Sequence, residues 1–376
     1  MGAIMAMKFN GTREPAETMT VELENDFDFL SDEYRALYNG CDVTGFQQPL
    51  WLHNIYNVLV PGVGATPLIM TARKDGVLKA VLPFVSQDVT GITLVQAADL
   101  GVSDYNRLIA TPETLGELAS DDAALAALAR HVSFADILFL RKVGRDEGVL
   151  DRLFGRSMRS QCENSAYVID LKPGAFETWR KENLKKGFRK NIDRRRRKLE
   201  GEFGDVCWKR FSTPDEIHGA MNFIRAHRAK RFDGDLLAQD AYFEFYLACA
   251  LAGAKNLETE ISGIVVDGEL VSADFGVMGK GCLHSILCAA DIENFGVYAP
   301  GLQSLHDLIS ERSESGDSHF DVGIGNSRYK ADFSAREVPL DNLSVSLSVK
   351  GQAVAAVYHR SKPLKNLLRN LVKSVH

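Results

Sequence analysis

Residues 261–290, ISGIVVDGELVSADFGVMGKGCLHSILCAA, decide the fold. Apolar runs are interrupted at Asp267-Gly268 and again at Gly279-Lys280-Gly281. Asp-Gly supplies the positive φ angles of a tight hairpin, so the stretch predicts an antiparallel meander of three strands. Residues 67–97, PLIMTARKDGVLKAVLPFVSQDVTGITLVQA, repeat the pattern with corners at Lys74-Asp75-Gly76 and Thr90-Gly91. Outward from each meander the surroundings also match. Helical periodicity precedes the first over residues 27–37 and 50–59, and the second over 217–232 and 242–251. After each comes a further helix and a short buried strand: 124–131 then 136–140, and 302–310 then 319–322. The last strand must cross over to rejoin its meander, which places helices beside a mixed sheet. The reading is an α+β chain of two tandem units, each a mixed, mainly antiparallel sheet flanked by helices. Two unrelated α/β domains are the plain alternative.

The chain has 376 residues, more than one hydrophobic core normally serves. The expected limits are a flexible N-terminus over 1–20, a first unit over 21–158, a second over 159–349 and a basic tail over 350–376, with a polar junction near 156–164. A net charge of -6 argues against a dedicated DNA binder. The six cysteines show no CxxC or zinc-like spacing, so they read as reduced thiols and no metal is expected. The first twenty residues lack a signal-peptide core, and no apolar run approaches membrane-spanning length. A cytoplasmic protein is expected. The basic tail could touch anionic lipid, a membrane surface or a synthase complex, although a solvated terminal helix explains it equally.

Three stretches could carry chemistry. In the run from Tyr298 through Pro300, Gly301 and Leu302 to Ile309, Pro300 suits a first helical turn, and Leu302, Leu305 and Ile309 form one apolar stripe. The free N–H groups of that helix would face an anion such as the pyrophosphate of a coenzyme-A donor, and Gly301 would let it approach. A core-packed helix without ligand is the plain alternative. In FDVGIGNSRYKADF, residues 320–333, a buried strand ends in alternating glycines and delivers Arg328, Tyr329 and Lys330 where sites in α/β sheets favour strand ends. In LKKGFRKNIDRRRRKL, residues 184–199, Leu184, Phe188, Ile192 and Leu199 recur at helical spacing while the basic groups fan over the other faces. Such a cationic helix suits a polyanion: donor phosphates, a nucleotide-sugar, a lipid head group or RNA. Histidines 53, 284 and 306 have no ligand set around them and read as packing residues.

These stretches, with His227-Arg228, Tyr298-Ala-Pro-Gly301, Phe46-Gln-Gln-Pro-Leu-Trp51, Leu82-Pro83-Phe84 and Asp104-Tyr105, resemble the CelD/BcsL acetyltransferases of cellulose biosynthesis over residues 25–345. These are GNAT-like proteins also described as having a BioF2-like domain. The architecture is similar to that of the Fem-type aminoacyltransferases, whose downstream aromatic-Lys pair Tyr329-Lys330 resembles. By that analogy Lys330 would offset charge on a tetrahedral intermediate. The chain lacks the long coiled-coil arm of some Fem proteins, which speaks against tRNA use, and also the RxxGxG/A signature of ordinary GNAT enzymes.

The resemblance implies acyl transfer from acyl-CoA, acetyl-CoA first, to a sugar or cell-envelope precursor of polysaccharide synthesis. Lys330 would meet the oxyanion, Asp321 would orient or act as base, and Tyr298 or Tyr329 would protonate the leaving group. Pro300, Gly301, Leu302, Arg189, Arg228 and Arg328 would hold donor or substrate. A Fem-like aminoacyl-tRNA-dependent transferase, or a non-enzymatic module that binds polyanions or partners, are the alternatives.

Overall fold

The computed structural model describes residues 19–144 and 149–360. The flexible N-terminus expected over 1–20 and the basic tail expected over 350–376 lie mostly outside them. Among the described residues fifteen strands form two sheets. Those of the first segment are β1 (Met19–Leu23), β2 (Thr66–Lys74), β3 (Val77–Val89), β4 (Ile92–Ala97), β5 (Ile109–Ala110), β6 (Ile137–Gly144) and β7 (Met158–Gln161). The second segment supplies β8 (Ala166–Asp170), β9 (Val206–Arg210), β10 (Thr259–Val266), β11 (Glu269–Met278), β12 (Cys282–Ala290), β13 (His319–Ile324), β14 (Arg336–Val338) and β15 (Leu340–Ser346). Both meanders form at the predicted corners: Asp75-Gly76 has φ of 52° and 77°, and Asp267-Gly268 has 48° and 83°, as the hairpin turn demands.

The first sheet has the order β1-β2-β3-β4-β6-β15-β7, with β5 beside β3. The second has the order β9-β10-β11-β12-β13-β8-β14. Each contains one parallel pair, β4 with β6 and β12 with β13, where the crossover strand returns. The sixth place in each sheet is filled from elsewhere. β15, which follows the entire second sheet in sequence, pairs with β6 and β7 in the first, while β8 pairs with β13 and β14 in the second. The chain thus crosses between sheets twice, from β7 to β8 and, across Pro339 alone, from β14 to β15. A linear cut at 158/159 therefore describes the chain order but not the sheets: β7 spans the cut and β15 lies on the far side of it. Pairing between strands that far apart leaves no short-range signature.

The helices that matter here are α1 (Asp32–Gly40), α2 (Pro49–Asn54), α3 (Asp122–Val132), α4 (Lys186–Phe203), α5 (Pro214–Ala229), α6 (Asp240–Gly253), α7 (Pro300–Glu314), α8 (Arg328–Asp332) and α9 (Val349–Arg360). α5 starts with a capping box, Thr213 with Glu216, which satisfies two otherwise free N–H groups. α6 is apolar nearly all round and accordingly buried, with Phe245 and Tyr246 against Trp51 of α2 at ring separations of 4.8 and 6.0 Å. One apolar core runs unbroken from Tyr34 and Trp51 through Met221 and Phe245 to Phe275, so the two units share an interior. α3 covers the outer face of the first sheet with Leu128 and Val132. α7 covers the outer face of the second with Leu305, Leu308 and Ile309.

Candidate active site

β12 and β13 pair only over Cys282 to His284 and His319 to Asp321, and then part. A register shift in the β11–β12 ladder, between Phe275 and Gly276, bends β12 at the same level. The parting strands open a cleft of about 440 Å³ whose walls include Ser285–Cys288, Val322–Ile324, Tyr329, Lys330, Arg228 and Tyr246. The loop after β4 closes one side with Gly101, Val102 and Asp104, so the first unit completes a cleft cut in the second.

The floor is a hydrogen-bonded chain that crosses the unit boundary. One Asp321 carboxylate oxygen accepts the Gly323 N–H at 2.7 Å, and the other accepts Nδ1–H of His284 at 2.8 Å. Nε2 of His284 accepts the Gly45 N–H at 3.3 Å, which fixes the proton on Nδ1. His284 is therefore a buried connector whose carboxylate partner, Asp321, its sequence context did not show. A Cβ on Gly45 would meet Met278 O at 2.8 Å and the His284 ring at 2.9 Å, so only glycine permits this contact. Asp321 is fully buried with an oxygen committed to each neighbour, an arrangement suited to orientation and not to proton abstraction from substrate.

Above this floor the two units hold the two sides of one peptide group, that between Gly323 and Ile324 of β13. Lys330 donates from Nζ to Gly323 O at 2.8 Å, and Asp104 accepts the Ile324 N–H on Oδ2 at 3.1 Å. Gly323 has φ of 73°, and a Cβ there would lie 3.0 Å from Asp104 Oδ2 and 3.1 Å from Ser285 O, so glycine is required twice over. Burial lowers the Lys330 ammonium from its ordinary value, opposed by the charges of Asp104 and Asp321. Burial raises the Asp104 carboxyl, as does Asp321, while Lys142 and Lys330 pull it back. Lys330 also lies 5.0 Å from the centre of the Tyr167 ring. Burial raises Tyr329 well above the ordinary phenol value, so it stays protonated and can donate. Tyr105 is raised by burial and by Asp321, and its buried hydroxyl makes no well-formed hydrogen bond.

Of the residues singled out in the sequence, the cleft gathers Lys330, Tyr329 and Arg228, with Asp321 beneath them. Arg228 arrives already paired: Nε and Nη2 donate to Asp235 at 3.0 and 2.7 Å, and its guanidinium lies 5.0 Å from the Phe232 ring centre. Pro300, Gly301 and Leu302 start α7 as predicted, with Gly301 beside Ala290 at the end of β12, two positions beyond Cys288 of the cleft wall. They are not in the wall itself. Tyr298 packs away from the cleft with Leu199, Val266 and Val271, under Lys198 at 5.2 Å, its phenol raised by a hydrogen bond to Glu202. Arg328 is solvent-exposed on α8. Arg189 is half-buried with an unpartnered Nε, on the turn of α4 whose Phe188 packs edge-on against Phe333 after α8.

The basic run is helical as expected, and part of its charge is spent locally. Arg196 pairs with Asp307 of α7, Arg180 reaches Asp193, and Arg195 donates to Val297 O at 3.2 Å just ahead of α7. Lys186, Lys190, Arg194 and Arg197 remain exposed along one side.

Asp104 did not emerge from the sequence as a site residue. Its role depends on a loop of one unit meeting a strand end of the other, and only its place beside Tyr105 in an otherwise unremarked loop marked it. Among the described residues no group of three or more His, Cys, Asp or Glu could hold a metal ion, and no helix is long and apolar enough to cross a membrane.

Comparison with known proteins bears on the fold. Residues 186–331 match the family model of the acetyltransferase (GNAT) domain. No curated protein matches the chain. Among solved structures, FemX superposes with a TM-score of 0.63 at 10% identity over 91% of this chain and 100% of that one. The C-terminal DUF2156 domain of a protein assigned as a lysylphosphatidylglycerol synthetase from Agrobacterium fabrum gives 0.55 at 11% identity, over 90% and 98%. A tandem GNAT protein of the clavulanic acid biosynthesis pathway gives 0.50 at 11% identity, over 88% and 99%. The fold is that of two tandem GNAT units, and the residues that match the acetyltransferase (GNAT) domain model lie in the second.

Proposed function

We propose that the chain transfers an acyl group, acetyl first, from coenzyme A to an amine on a sugar or cell-envelope precursor of polysaccharide synthesis, at the cleft between β12 and β13. The observation that carries this reading is that Asp104 and Lys330, one from each unit, hold the N–H and the C=O of the single Gly323–Ile324 peptide group where the two strands part. A thioester laid in the opening would place its carbonyl near the Lys330 ammonium, whose charge offsets the developing oxyanion in a site screened from water. Asp104 is the cleft-facing carboxylate with a raised pKa and would take the proton of the attacking amine. Tyr329 would protonate the departing thiolate. The donor phosphates would lie toward the first turn of α7, which adjoins the basic side of α4 where Arg195 donates to Val297 O. The resemblance to CelD/BcsL proteins supports the acceptor class.

The test is thiol release from acetyl-CoA in the presence of a panel of amino sugars and nucleotide-amino sugars. Acceptor-dependent release that falls at least a hundredfold in Lys330→Ala at unchanged melting temperature is the expected result. Equal release by the two proteins would overturn the assignment. The likeness to FemX supports a second reading, aminoacyl-tRNA as donor bound along the exposed cations of α4, and predicts transfer from charged tRNA instead.

A further inference from the structure

The active cleft has a neighbour. A second cavity, of about 360 Å³, lies between α9 and the first sheet, and it is apolar where the cleft is polar. Its apolar walls are Ile92 and Leu94 of β4, Ile137 and Phe139 of β6, and Val354 and Tyr358 of α9, and Gln96, Glu163, Asn164 and Asn342 also line it. Alternate residues of both strands face it, as the period of two requires, while Val95 and Leu138 turn the other way into the core beneath α3. The two cavities meet: Gly101, Asp104 and Ile324 line both. Since Asp104 accepts the Ile324 N–H and Lys330 donates to Gly323 O, the inner end of the apolar cavity is one peptide group from the reacting position.

The charged groups at that inner end are satisfied within the protein. Arg141 donates to Gln96 and Asp99 at 2.9 and 3.2 Å, and Lys142 reaches Asp99 at 3.0 Å. Asp99 is held down to about 2, its burial outweighed by these two cations and by Asn106. Both cations thus share the Asp99 carboxylate and already have partners within the protein. What remains is a half-open slot walled mainly by hydrocarbon between α9 and the first sheet, of a size that small-molecule sites have, ending beside the Asp104–Ile324 contact.

We propose that this cavity receives an extended apolar chain of the substrate whose reacting end lies at Lys330, so that the first unit acts as a chain-length gauge for the second. The proposal rests on the acyl-transfer reading of the cleft. Its two sources, a fatty acyl chain on the donor or an alkyl anchor on the acceptor, share one chemistry and separate on testing.

The experiment is calorimetric titration of the full chain with acetyl-, hexanoyl- and decanoyl-CoA, and separately with hexyl and decyl maltoside. Affinity should rise with chain length by up to about fourfold per buried methylene. Val354→Trp on α9 and Ile92→Trp on β4, both at half-buried positions, should flatten that rise while circular dichroism and melting temperature show a folded protein. A rise confined to the acyl-CoA series places the chain on the donor, and one confined to the maltosides places it on the acceptor. No rise in either series, or a rise that both folded tryptophan variants retain, overturns the proposal. Lys330→Ala in the same titrations keeps the two readings apart: the chain-length slope should persist in it whether or not turnover depends on Lys330.

Discussion

At the scale of single residues, the site is a set of charges made to work in poor solvent. In the proposed mechanism Asp104 acts when deprotonated, and its carboxyl is raised by burial. kcat/KM should therefore rise with pH through a value above the ordinary carboxylate range. Asp104→Asn should lower kcat by about 10² to 10⁴ and remove that limb of the profile, as steady-state kinetics across pH 4 to 9 would show. Gly323 is a sharper probe of geometry. Gly323→Ala must place a Cβ against Asp104 and Ser285 O at a positive φ, so it should displace the Asp104 and Lys330 partners together. Turnover should fall at least tenfold with the melting temperature lowered by only a few degrees, and an alanine variant of full activity would contradict the arrangement. The place of Tyr329 and Lys330 just beyond a glycine-broken strand end was legible in the sequence. Asp104 was not, since nothing in the loop near 101–106 announces that it will meet residue 324.

At the scale of elements, α7 lies on the sheet through an unusually polar seam. Ser304 donates to Asp274 at 2.5 Å, while Arg312 pairs with Glu260 at 2.9 Å and Asp317 at 2.7 Å. Asp274 is buried and its carboxyl is pushed up to about 7, burial and the charge of Glu260 outweighing the Ser304 hydroxyl. A carboxyl whose folded value exceeds its unfolded value binds more protons in the folded state. Its contribution is full below about pH 4 and is lost as pH rises toward about 7, by at most about 4 kcal/mol for a shift of this size. Asp274→Asn should therefore gain in melting temperature relative to the parent between pH 5 and 8, and a constant difference across that range would sink the assignment. The helix itself was legible from Pro300 and its apolar stripe. The seam was not, because the partners of α7 lie on strands about thirty and fifty residues upstream.

At the scale of the whole molecule, the exchange that brings β15 of the second segment into the first sheet binds the two sheets into one folding unit. Each sheet has its sixth strand from outside its own meander, and the shared core between α2 and α6 adds an apolar interface that neither half can cover alone. Residues 19–158 and 159–360 expressed separately should each aggregate, because each is left with open strand edges and bare core. Co-expressed, they should form a soluble complex that melts in one transition. A soluble, monomeric first half would show that the exchange is incidental. The duplication was legible in the matching meanders, whereas the exchange rests on pairings such as Ser346 with Ile137 that no local pattern encodes.

The central claim is that the opening between β12 and β13 is where the acyl donor sits. Hydrogen exchange read by mass spectrometry, with and without acetyl-CoA, tests it without knowledge of the acceptor. Slowed exchange at residues 285–288 and 322–330, and in the first turn of α7, is the result this account predicts. Protection confined to the first sheet, or none at saturating acetyl-CoA, would contradict it.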